Sequence, residues 1–435
     1  MAGTNRLAFV AVIVAGVWCL AASSQELSDT AIRRRIQQHR TAEIRLVLVD
    51  AQGQPLRNAP VTVHQTRHQF LFGCNAFRIN VADTSETQLD YQKRFSDLLN
   101  YATLGFYWGA YERTLGQPSF DRLKSQADWC ARSGIVTKGH PLVWQQVQPR
   151  WIVGRPLEEV QALQLGRLTR EVSAFKGVID RWDVVNEAVV MPGYSHPNDP
   201  PEIPALARKL GTVELIRQAF EAARKANPNA VLVLNDYDVS PKYEKLIADC
   251  LAAGVGIDVI GIQSHMHTGY WGKERLWDVL TRFSRFNKPI HFTEVTVVSG
   301  PAPAQVRWHG PRHDDWPSTP EGEAKQAEQV AEFYTVLFSH PSVEAITWWD
   351  FSDNGAWLGA PSGLVRRDMT PKPAYEALMK RVKGEWWTGE LKLTTDAEGR
   401  LGVRGFLGDY TVQAGSAYGT FTLDRRAAPL KVVVR

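Results

Sequence analysis

The sequence predicts an α/β fold, a (β/α)8 TIM barrel with a small accessory β-unit formed by the N- and C-terminal segments. Three observations predict it. Strand-like and helix-like segments alternate through residues 70–384, as in a parallel sheet surrounded by helices. Polar and aromatic residues gather where the strand-like segments end. Short β-like runs precede and follow this region.

The candidate strands are short apolar runs bounded by polar or glycine-containing turns. They are residues 70–75, 101–106, 135–144, 178–187, 230–239, 259–266, 289–298 and 343–352. Helical periodicity lies between most of them, for example in 213–227 and 320–339. An open, doubly wound sheet is the structural alternative, but no glycine-rich phosphate loop follows the first strand. The pattern therefore favours a closed barrel.

The segments outside the barrel are too short to bury a good core alone. Residues 43–71 and 386–435 both have strand patterns broken by glycine and charged turns, so we expect them to pack together. The predicted division of the chain is 1–24 as a signal peptide, 25–70 as an N-terminal helix and β-segment, 71–384 as the barrel, and 385–435 as a C-terminal β-segment.

Residues 1–24 have the pattern of a signal peptide. Arg6 supplies a positive charge, an apolar stretch runs from Leu7 to Leu20, and small residues follow at 21–24. An N-terminal membrane anchor is the alternative, but the stretch is short for a membrane span. We expect a secreted or periplasmic protein without membrane association after cleavage.

Composition excludes several classes of protein. Hydrophobic residues make up 44% and charged residues 22%, which excludes disordered and collagen-like chains. The net charge of +4 is small, and the Lys and Arg residues are scattered along the sequence, so no nucleic-acid partner is indicated. After signal cleavage Cys74, Cys130 and Cys250 remain, an odd number whose spacing fits no zinc site. Buried free thiols are the better interpretation.

Polar and aromatic side chains cluster at the carboxyl ends of the predicted strands, where a barrel places its active site. A packed barrel core would carry Val, Ile and Leu there, because buried polar groups cost free energy unless they are partnered. The segments are KGHPLVW (138–144), DVVNE (183–187), NDY (235–237), QSH (263–265), TE (293–294) and WWD (348–350).

Two glutamates stand out among these residues. Glu187 and Glu294 lie on the fourth and seventh predicted strands, which are across the barrel from each other, so both carboxyl groups can enter one cleft from opposite sides. Acetal hydrolysis needs such a pair, one to protonate the leaving oxygen and one to stabilise the oxocarbenium-like centre. A single glutamate is more often half of a structural ion pair, but two with matching polar neighbours favour a glycosidase. This chemistry implies no cofactor.

The strings GHPLVW, WDVVNEAV, NDYDV, GIQSHMH and FTEV resemble the signature segments of glycoside hydrolase family 10, the endo-1,4-beta-xylanase family. They occur in the family's order across 70–384, and the end segments look like those flanking the barrel in plant-type members. The resemblance implies a retaining O-glycosyl hydrolase that cleaves β-1,4-xylosidic bonds by double displacement, with Glu187 as acid/base and Glu294 as nucleophile. It also implies a group of substrate-binding residues: His140, Trp144, Asn186, Gln263 and His265 around one subsite, with Trp349 and Trp357 as aromatic floor and wall.

Several neighbouring residues have two interpretations. Trp348 and Trp349 point to opposite sides if they lie in a strand, and we assign Trp349 to sugar and Trp348 to the core. Asp183 and Asp236 are either partners of the site residues or charges at the barrel rim. His267 lies two residues after His265, but no third ligand presents itself for a metal.

The chain departs from the family pattern in two places. Residues 103–110 read TLGFYWGA where the family usually has a Glu-Asn pair and a lysine that hold the next sugar. Thr296 stands where the family typically has an aspartate that orients the histidine equated with His265. In addition, residues 299–319 form a loop rich in Pro, His and Trp, which is either a plain surface loop or a cap over one end of the cleft.

Three functions follow from these observations. The first is a retaining glycosidase on xylan-type polysaccharide, and the second is the same chemistry on another β-glycoside, favoured by the altered segment 104–110. The third is a carbohydrate-binding protein that has lost catalysis. The expected partner is a polysaccharide or oligosaccharide, with no metal and no nucleic acid. The sequence leaves open the oligomeric state and the choice between internal and chain-end cleavage.

Overall fold

The structure is a computed structural model that describes residues 25–309, 311–313, 315–426 and 428–435; the predicted signal peptide, 1–24, lies outside the described residues. The N-terminal segment forms helix α1 (Asp29–Arg40) and strands β1 (Thr41–Val49) and β2 (Pro60–His68). Helix α1 begins at Ser28, whose side chain accepts a hydrogen bond from Ala31 N.

The central region forms a closed barrel. Its strands are β3 (Leu71–Asn75), β4 (Tyr101–Gly105), β5 (Val136–His140), β6 (Arg181–Asn186), β7 (Val231–Asp236), β8 (Val259–Met266), β9 (Ile290–Val297) and β10 (Val343–Trp348). Each strand pairs in parallel with the next, and β10 pairs with β3 to close the ring. Each predicted strand segment contains one of these strands, so the predicted (β/α)8 barrel is confirmed.

Helices connect the strands around the outside of the barrel. They are α2 (Glu86–Leu98), α3 (Trp108–Tyr111), α4 (Phe120–Arg132), α5 (Leu157–Ala174), α6 (Glu202–Leu210), α7 (Thr212–Ala226), α8 (Pro241–Ala252), α9 (Gly272–Ser284), α10 (Pro320–Ser339) and α11 (Pro373–Met379). Helix α10 has the predicted bounds because the Thr319 side chain caps its amino end and proline occupies its first position.

The flanking segments form two further sheets. The C-terminal strands are β11 (Leu391–Thr394), β12 (Arg400–Phe406), β13 (Gly408–Ala414), β14 (Ala417–Leu423) and β15 (Leu430–Val433). The sheets have the orders β12-β1-β15 and β11-β2-β13-β14, so each contains one N-terminal strand. Ile44 and Leu46 of β1 share a buried apolar core with Val412 and Phe421. The predicted joint β-unit is therefore confirmed.

The β-unit contacts the barrel at the amino ends of β3 and β10. The Arg40 guanidinium donates hydrogen bonds of 2.6 and 2.7 Å to the backbone oxygens of His340 and Val343, and it lies 4.7 Å from the Phe70 ring centroid. Trp386 stacks on Phe338 with 4.3 Å between ring centroids. Since barrel active sites lie at the opposite, carboxyl ends of the strands, the β-unit supports the barrel without entering its site.

Three further findings concern the described residues outside the site. Cys74, Cys130 and Cys250 are buried free thiols, as predicted. In the described part of the chain, no group of three or more His, Cys, Asp or Glu is placed to hold a metal ion. None of the described helices is long and apolar enough to cross a membrane.

Candidate active site

A cleft of about 1380 Å³ opens at the carboxyl ends of the barrel strands. The structure brings all the predicted site residues together in its lining: His140, Trp144, Asn186, Glu187, Gln263, His265, Glu294, Trp349 and Trp357. They come from β5, β6, β8 and β9 and from the segments that follow β5, β6 and β10. The cleft therefore gathers residues that are far apart in the sequence.

Glu187 follows directly after β6 in an unusual backbone conformation. Its φ of 56° lies in the left-handed region, which is uncommon for a residue other than glycine and is typical of strained functional positions. The backbone N–H of Glu187 donates a hydrogen bond to Asn235 O at 2.8 Å, which helps to keep the residue in this strained conformation. Its Oε2 accepts from Gln145 Nε2 at 3.0 Å, and its Oε1 accepts from Gln263 Nε2 at 3.3 Å.

The surroundings of Glu187 favour its protonated form. Burial is the largest influence and raises the pKa of Glu187, because a buried carboxylate loses hydration. The nearby negative charge of Glu294 raises it further, and the hydrogen bonds donated to the carboxyl group only partly oppose these effects. A carboxylic acid that keeps its proton is suited to general-acid chemistry.

Glu294 lies within β9 and has the opposite tendency. Its Oε1 accepts from Asn235 Nδ2 at 2.9 Å, and its Oε2 lies 3.0 Å from His265 Nε2. Burial alone would raise the pKa of Glu294, but the charge of His140 and the hydrogen bond from His265 outweigh it, and the pKa is lowered. An ionised carboxylate is suited to stabilise or attack a positive carbon centre.

His140 is held by an ion pair at the bottom of the site. Asp183 is fully buried, and its Oδ2 lies 2.7 Å from both Lys138 Nζ and His140 Nδ1. This leaves His140 Nε2 at 3.9 Å from Glu294 Oε1. Asp183 is thus a partner of the site residues and not a rim charge. Lys138 was missed, although it lies two residues before His140 in a strand and so faces the same side.

Asn235 joins the two carboxyl groups and was not assigned a role from the sequence. Its Nδ2 donates to Glu294 Oε1 and, at 2.7 Å, to Asn186 Oδ1, whose own Nδ2 lies 3.3 Å from Glu187 Oε1. Thr293 Oγ1 donates to Asn235 Oδ1 at 2.6 Å. Only glycine fits beside this amide, since a Cβ on Gly261 would lie 2.4 Å from Asn235 Oδ1. The sequence signal for the role of Asn235 was the position of NDY at the end of β7, the strand that pairs with β6.

Asp236 is also buried and holds the backbone just after Glu187. Its Oδ2 accepts from Val189 N at 3.0 Å, and its Oδ1 accepts from Asp238 N at 3.0 Å. Burial raises the pKa of Asp236 to about 7. The aspartate therefore fixes the loops that leave β6 and β7, which resolves its two interpretations in favour of a supporting role.

Thr296 is the residue that faces His265 from the next strand. Its Oγ1 lies 3.1 Å from His265 Nδ1, while the other ring nitrogen reaches Glu294. Thr296 is fully buried, and among the described residues its hydroxyl group is the polar neighbour of His265 Nδ1. A neutral hydroxyl can orient the imidazole but adds no charge to it.

Two adjacent tryptophans separate the cleft from the core. Trp348 is fully buried, and its indole N–H donates to Ser362 O at 2.9 Å. Trp349 lines the cleft, and its ring lies 5.5 Å from His140 and 5.7 Å from His265 in edge-to-face geometry. The two side chains are therefore placed as their alternation in a strand predicts.

The part of the cleft that follows β4 is aromatic. The Tyr107 ring lies 5.5 Å from both His140 and Trp144, and 5.7 Å from Phe77, which in turn packs edge-to-face against Trp349 at 5.5 Å. Tyr107 belongs to the altered stretch TLGFYWGA and lines the cleft where charged and amide donors were expected, whereas Phe106 and Trp108 are buried. The structure thus shows a wall of aromatic rings in this part of the cleft.

Comparison with known proteins identifies relatives of this chain. The family model described as glycosyl hydrolase family 10 matches residues 64–381. The chain is 28% identical over 420 residues to the anti-sigma-I factor RsgI6 of Acetivibrio thermocellus, covering 92% of this chain and 49% of that protein. The chain thus spans about half the length of that relative.

Two xylanases are also similar. Endo-1,4-beta-xylanase B of Thermotoga neapolitana is 26% identical over 290 residues, which cover 63% of this chain and 78% of that protein. The crystal structure of xylanase 10B from Thermotoga petrophila RKU-1 in complex with xylobiose has a TM-score of 0.61 at 25% identity. It covers 73% of this chain and 95% of that chain.

Proposed function

The chain belongs to glycosyl hydrolase family 10, and we propose that it is a retaining glycosidase that cleaves β-1,4-xylosidic bonds in xylan-type polysaccharide. The observation that carries this proposal is the placement of two buried carboxyl groups in one cleft, where the surroundings raise the pKa of Glu187 and lower the pKa of Glu294. Environments that separate the pKa values of two neighbouring carboxyl groups assign one as acid and the other as base or nucleophile.

In the first step the sugar lies between the two carboxyl groups. Glu187 gives its proton to the glycosidic oxygen as the bond from that oxygen to C1 breaks, and the alcohol leaves. Glu294 supplies an electron pair to C1 from the opposite face and forms a covalent glycosyl ester. His265 and Asn235 hold the two oxygens of Glu294 in place for this attack.

In the second step water replaces the ester. Ester formation removes the negative charge of Glu294, which is one of the causes that raise the pKa of Glu187. The pKa of Glu187 therefore falls after the first step, so the carboxylate stays ionised until it takes a proton from water. The resulting hydroxide equivalent attacks C1, the ester bond to Glu294 breaks, and the product keeps its original configuration.

The remaining lining residues are proposed to hold the sugar. Asn186, Gln263, His140 and Trp144 surround the carboxyl pair with hydrogen-bonding groups, and the Trp349 ring offers an apolar face. A second candidate is the same reaction on another β-glycoside, which the aromatic segment 104–110 favours because rings discriminate hydroxyl patterns weakly. Loss of catalysis is disfavoured because both carboxyl groups are present with opposed pKa shifts.

Hydrolysis of aryl β-xyloside and aryl β-glucoside by wild type and Glu294→Ala tests the proposal. We expect wild type to release the phenol and Glu294→Ala to lose at least about 10⁴-fold in kcat/KM, since the nucleophile is gone. A matched control is Glu398→Ala, an exposed residue of the β-unit, which should leave the rate unchanged. A panel of polysaccharides then separates xylan from other β-glycans. Absence of hydrolysis on every substrate would leave only a binding function.

Export is a further part of the proposal. We place the mature protein outside the cytoplasm, secreted or periplasmic, because residues 1–24 have a charged start, an apolar stretch and small residues. Expression of the full chain and N-terminal sequencing of the exported protein tests this. A protein that stays in the cytoplasm with Met1 intact would contradict it.

A further inference from the structure

The loop of residues 299–319, which connects β9 to α10, is closed at its base. Ser299 Oγ lies 2.7 Å from Ser318 Oγ, and Thr319 N donates to Ser299 O at 2.9 Å. Lys372 is fully buried, and its Nζ donates to Ser299 Oγ at 2.9 Å. The loop therefore leaves and returns at one fixed point near the carboxyl end of β9.

The middle of the loop packs over His267. The ring of His267 lies 5.4 Å from Trp308, 6.1 Å from Trp316 and 5.2 Å from Trp357. His267 is fully buried, and neither ring nitrogen has a hydrogen-bond partner among the described residues. Burial lowers the pKa of His267, so the ring is neutral under the two loop tryptophans. These apolar contacts hold the loop down on the barrel.

The tip of the loop reaches the opposite wall of the cleft. The His309 ring lies 5.4 Å from His196 and 6.3 Å from Tyr194, both in the segment that follows β6 and Glu187. That segment is itself fixed, since Tyr194 Oη donates to Asp199 Oδ2 at 2.7 Å. We name the contact of His309 with Tyr194 and His196 the bridge.

The bridge joins the loops of the two strands that carry the carboxyl groups. In the barrel, β6 and β9 are separated by β7 and β8 on one side and by β10, β3, β4 and β5 on the other. Residues on the first side of the cleft include Tyr237 and Trp271, and Trp308 and His309 line the cleft from the loop. The bridge therefore closes the cleft on the β7–β8 side.

We propose that the bridge restricts the enzyme to bonds near a chain end, with room for only a short saccharide on the β7–β8 side of the carboxyl pair. A linear polysaccharide cut at an internal bond has to leave the cleft in both directions. With the bridge in place, a long chain reaches the β7–β8 side only by threading under His309. The inference rests on the proposed function, since it concerns which bonds of a polysaccharide the same carboxyl pair cleaves.

The test compares the loss of viscosity of a soluble xylan with the number of reducing ends formed. Internal cutting lowers viscosity steeply for each new end, whereas chain-end cutting hardly changes it. The first variant replaces residues 303–315 with a short Gly-Ser linker, and the second is His196→Ala with His309→Ala. The control is Tyr418→Ala, an exposed aromatic residue on β14 of the β-unit.

We expect wild type and the Tyr418 control to form many reducing ends with little loss of viscosity, and both bridge variants to lose several-fold more viscosity per end. The ratio is internal to each enzyme, so a change in overall rate does not affect it. If the shortened loop prevents folding, the double substitution decides. Unchanged ratios in the variants, or a wild type that already lowers viscosity steeply, would overturn the inference. If the enzyme releases phenol from an aryl β-xyloside, the proposed function stands whether or not the viscosity ratios change. If no substrate is hydrolysed, the proposed function itself is contradicted.

Discussion

The cleft has two sides that are built on different principles. Around β6 to β9 the carboxyl groups are tied to amides and histidines, as in the link from Glu294 through Asn235 and Asn186 to Glu187. After β3 and β4, Phe77 and Tyr107 pack edge-to-face with neighbouring rings and line the cleft. One side is a partnered polar network, and the other is an apolar wall.

The difference separates reaction from recognition. Bond cleavage needs groups placed within a few tenths of an ångström, and buried polar networks supply that rigidity when all members are partnered. Recognition of the sugars farther from the bond tolerates more variation, because rings bind many sugar faces. We therefore expect substitutions in the polar network to reduce kcat and substitutions in the aromatic wall to change KM.

After Glu294→Ala, the largest effect is expected from Glu187→Gln. Loss of the general acid should reduce kcat/KM on xylan by about 10³-fold, and far less on a dinitrophenyl β-xyloside, whose leaving group needs no proton. The raised pKa of Glu187 means that wild-type activity falls as pH rises through that pKa, and this basic limb should disappear in the variant. Equal losses on both substrates would show that Glu187 is not the acid.

A smaller loss is expected from Asn235→Ala, which breaks the link between the carboxyl groups. Removing a hydrogen bond to a charged group costs about 2 kcal/mol, which corresponds to a roughly 30-fold fall in kcat. Gln413→Ala in β13 of the β-unit is the matched control and should leave kcat unchanged. A rise in KM with unchanged kcat would place Asn235 in binding rather than in positioning Glu294.

Thr296→Val tests the weaker partner of His265. The substitution removes one buried hydrogen bond of about 1 kcal/mol, so kcat should fall roughly fivefold. With His265 less firmly held, the pKa of Glu294 should rise toward its ordinary value. In the proposed mechanism Glu294 acts as the carboxylate, so the acidic limb of the pH profile should then move to higher pH. An unchanged limb would mean that Thr296 does not act through His265.

The smallest effect is expected in the aromatic wall. Tyr107→Ala should raise KM for xylo-oligosaccharides about threefold or less, because it removes one stacking ring and no hydrogen bond to the carboxyl pair. The kcat for an aryl β-xyloside provides the comparison within the same variant. A fall in that kcat as large as the one expected for Asn235→Ala would abolish the distinction between the two sides of the cleft.

The barrel and the carboxyl pair were predictable from local sequence patterns. Strand lengths, helical periodicity and polar strand ends each depend on a few consecutive residues, and the barrel then places those ends at one face. The pairing of β1 and β2 with C-terminal strands followed from the same reasoning, since neither segment could bury a core alone.

The partners of individual side chains were not predictable in the same way. Lys138 pairs with Asp183 and Asn235 donates to Glu294 across many intervening residues, so the contact exists only after the barrel has closed. The sequence left Asp183 and Asp236 as either partners or rim charges for this reason. The crossing of His309 to His196 also depends on the path of a loop without regular structure, which has no periodic signal.

We propose that cleavage proceeds by double displacement through Glu294, and the configuration of the first product is the sharpest test of this reaction. Proton NMR of a xylan or aryl β-xyloside digest during the first minutes, before mutarotation, separates the two anomers. We expect the β-anomer to appear first, because two displacements at C1 restore the original configuration. Initial appearance of the α-anomer would contradict it, since a single displacement by water would then be the reaction.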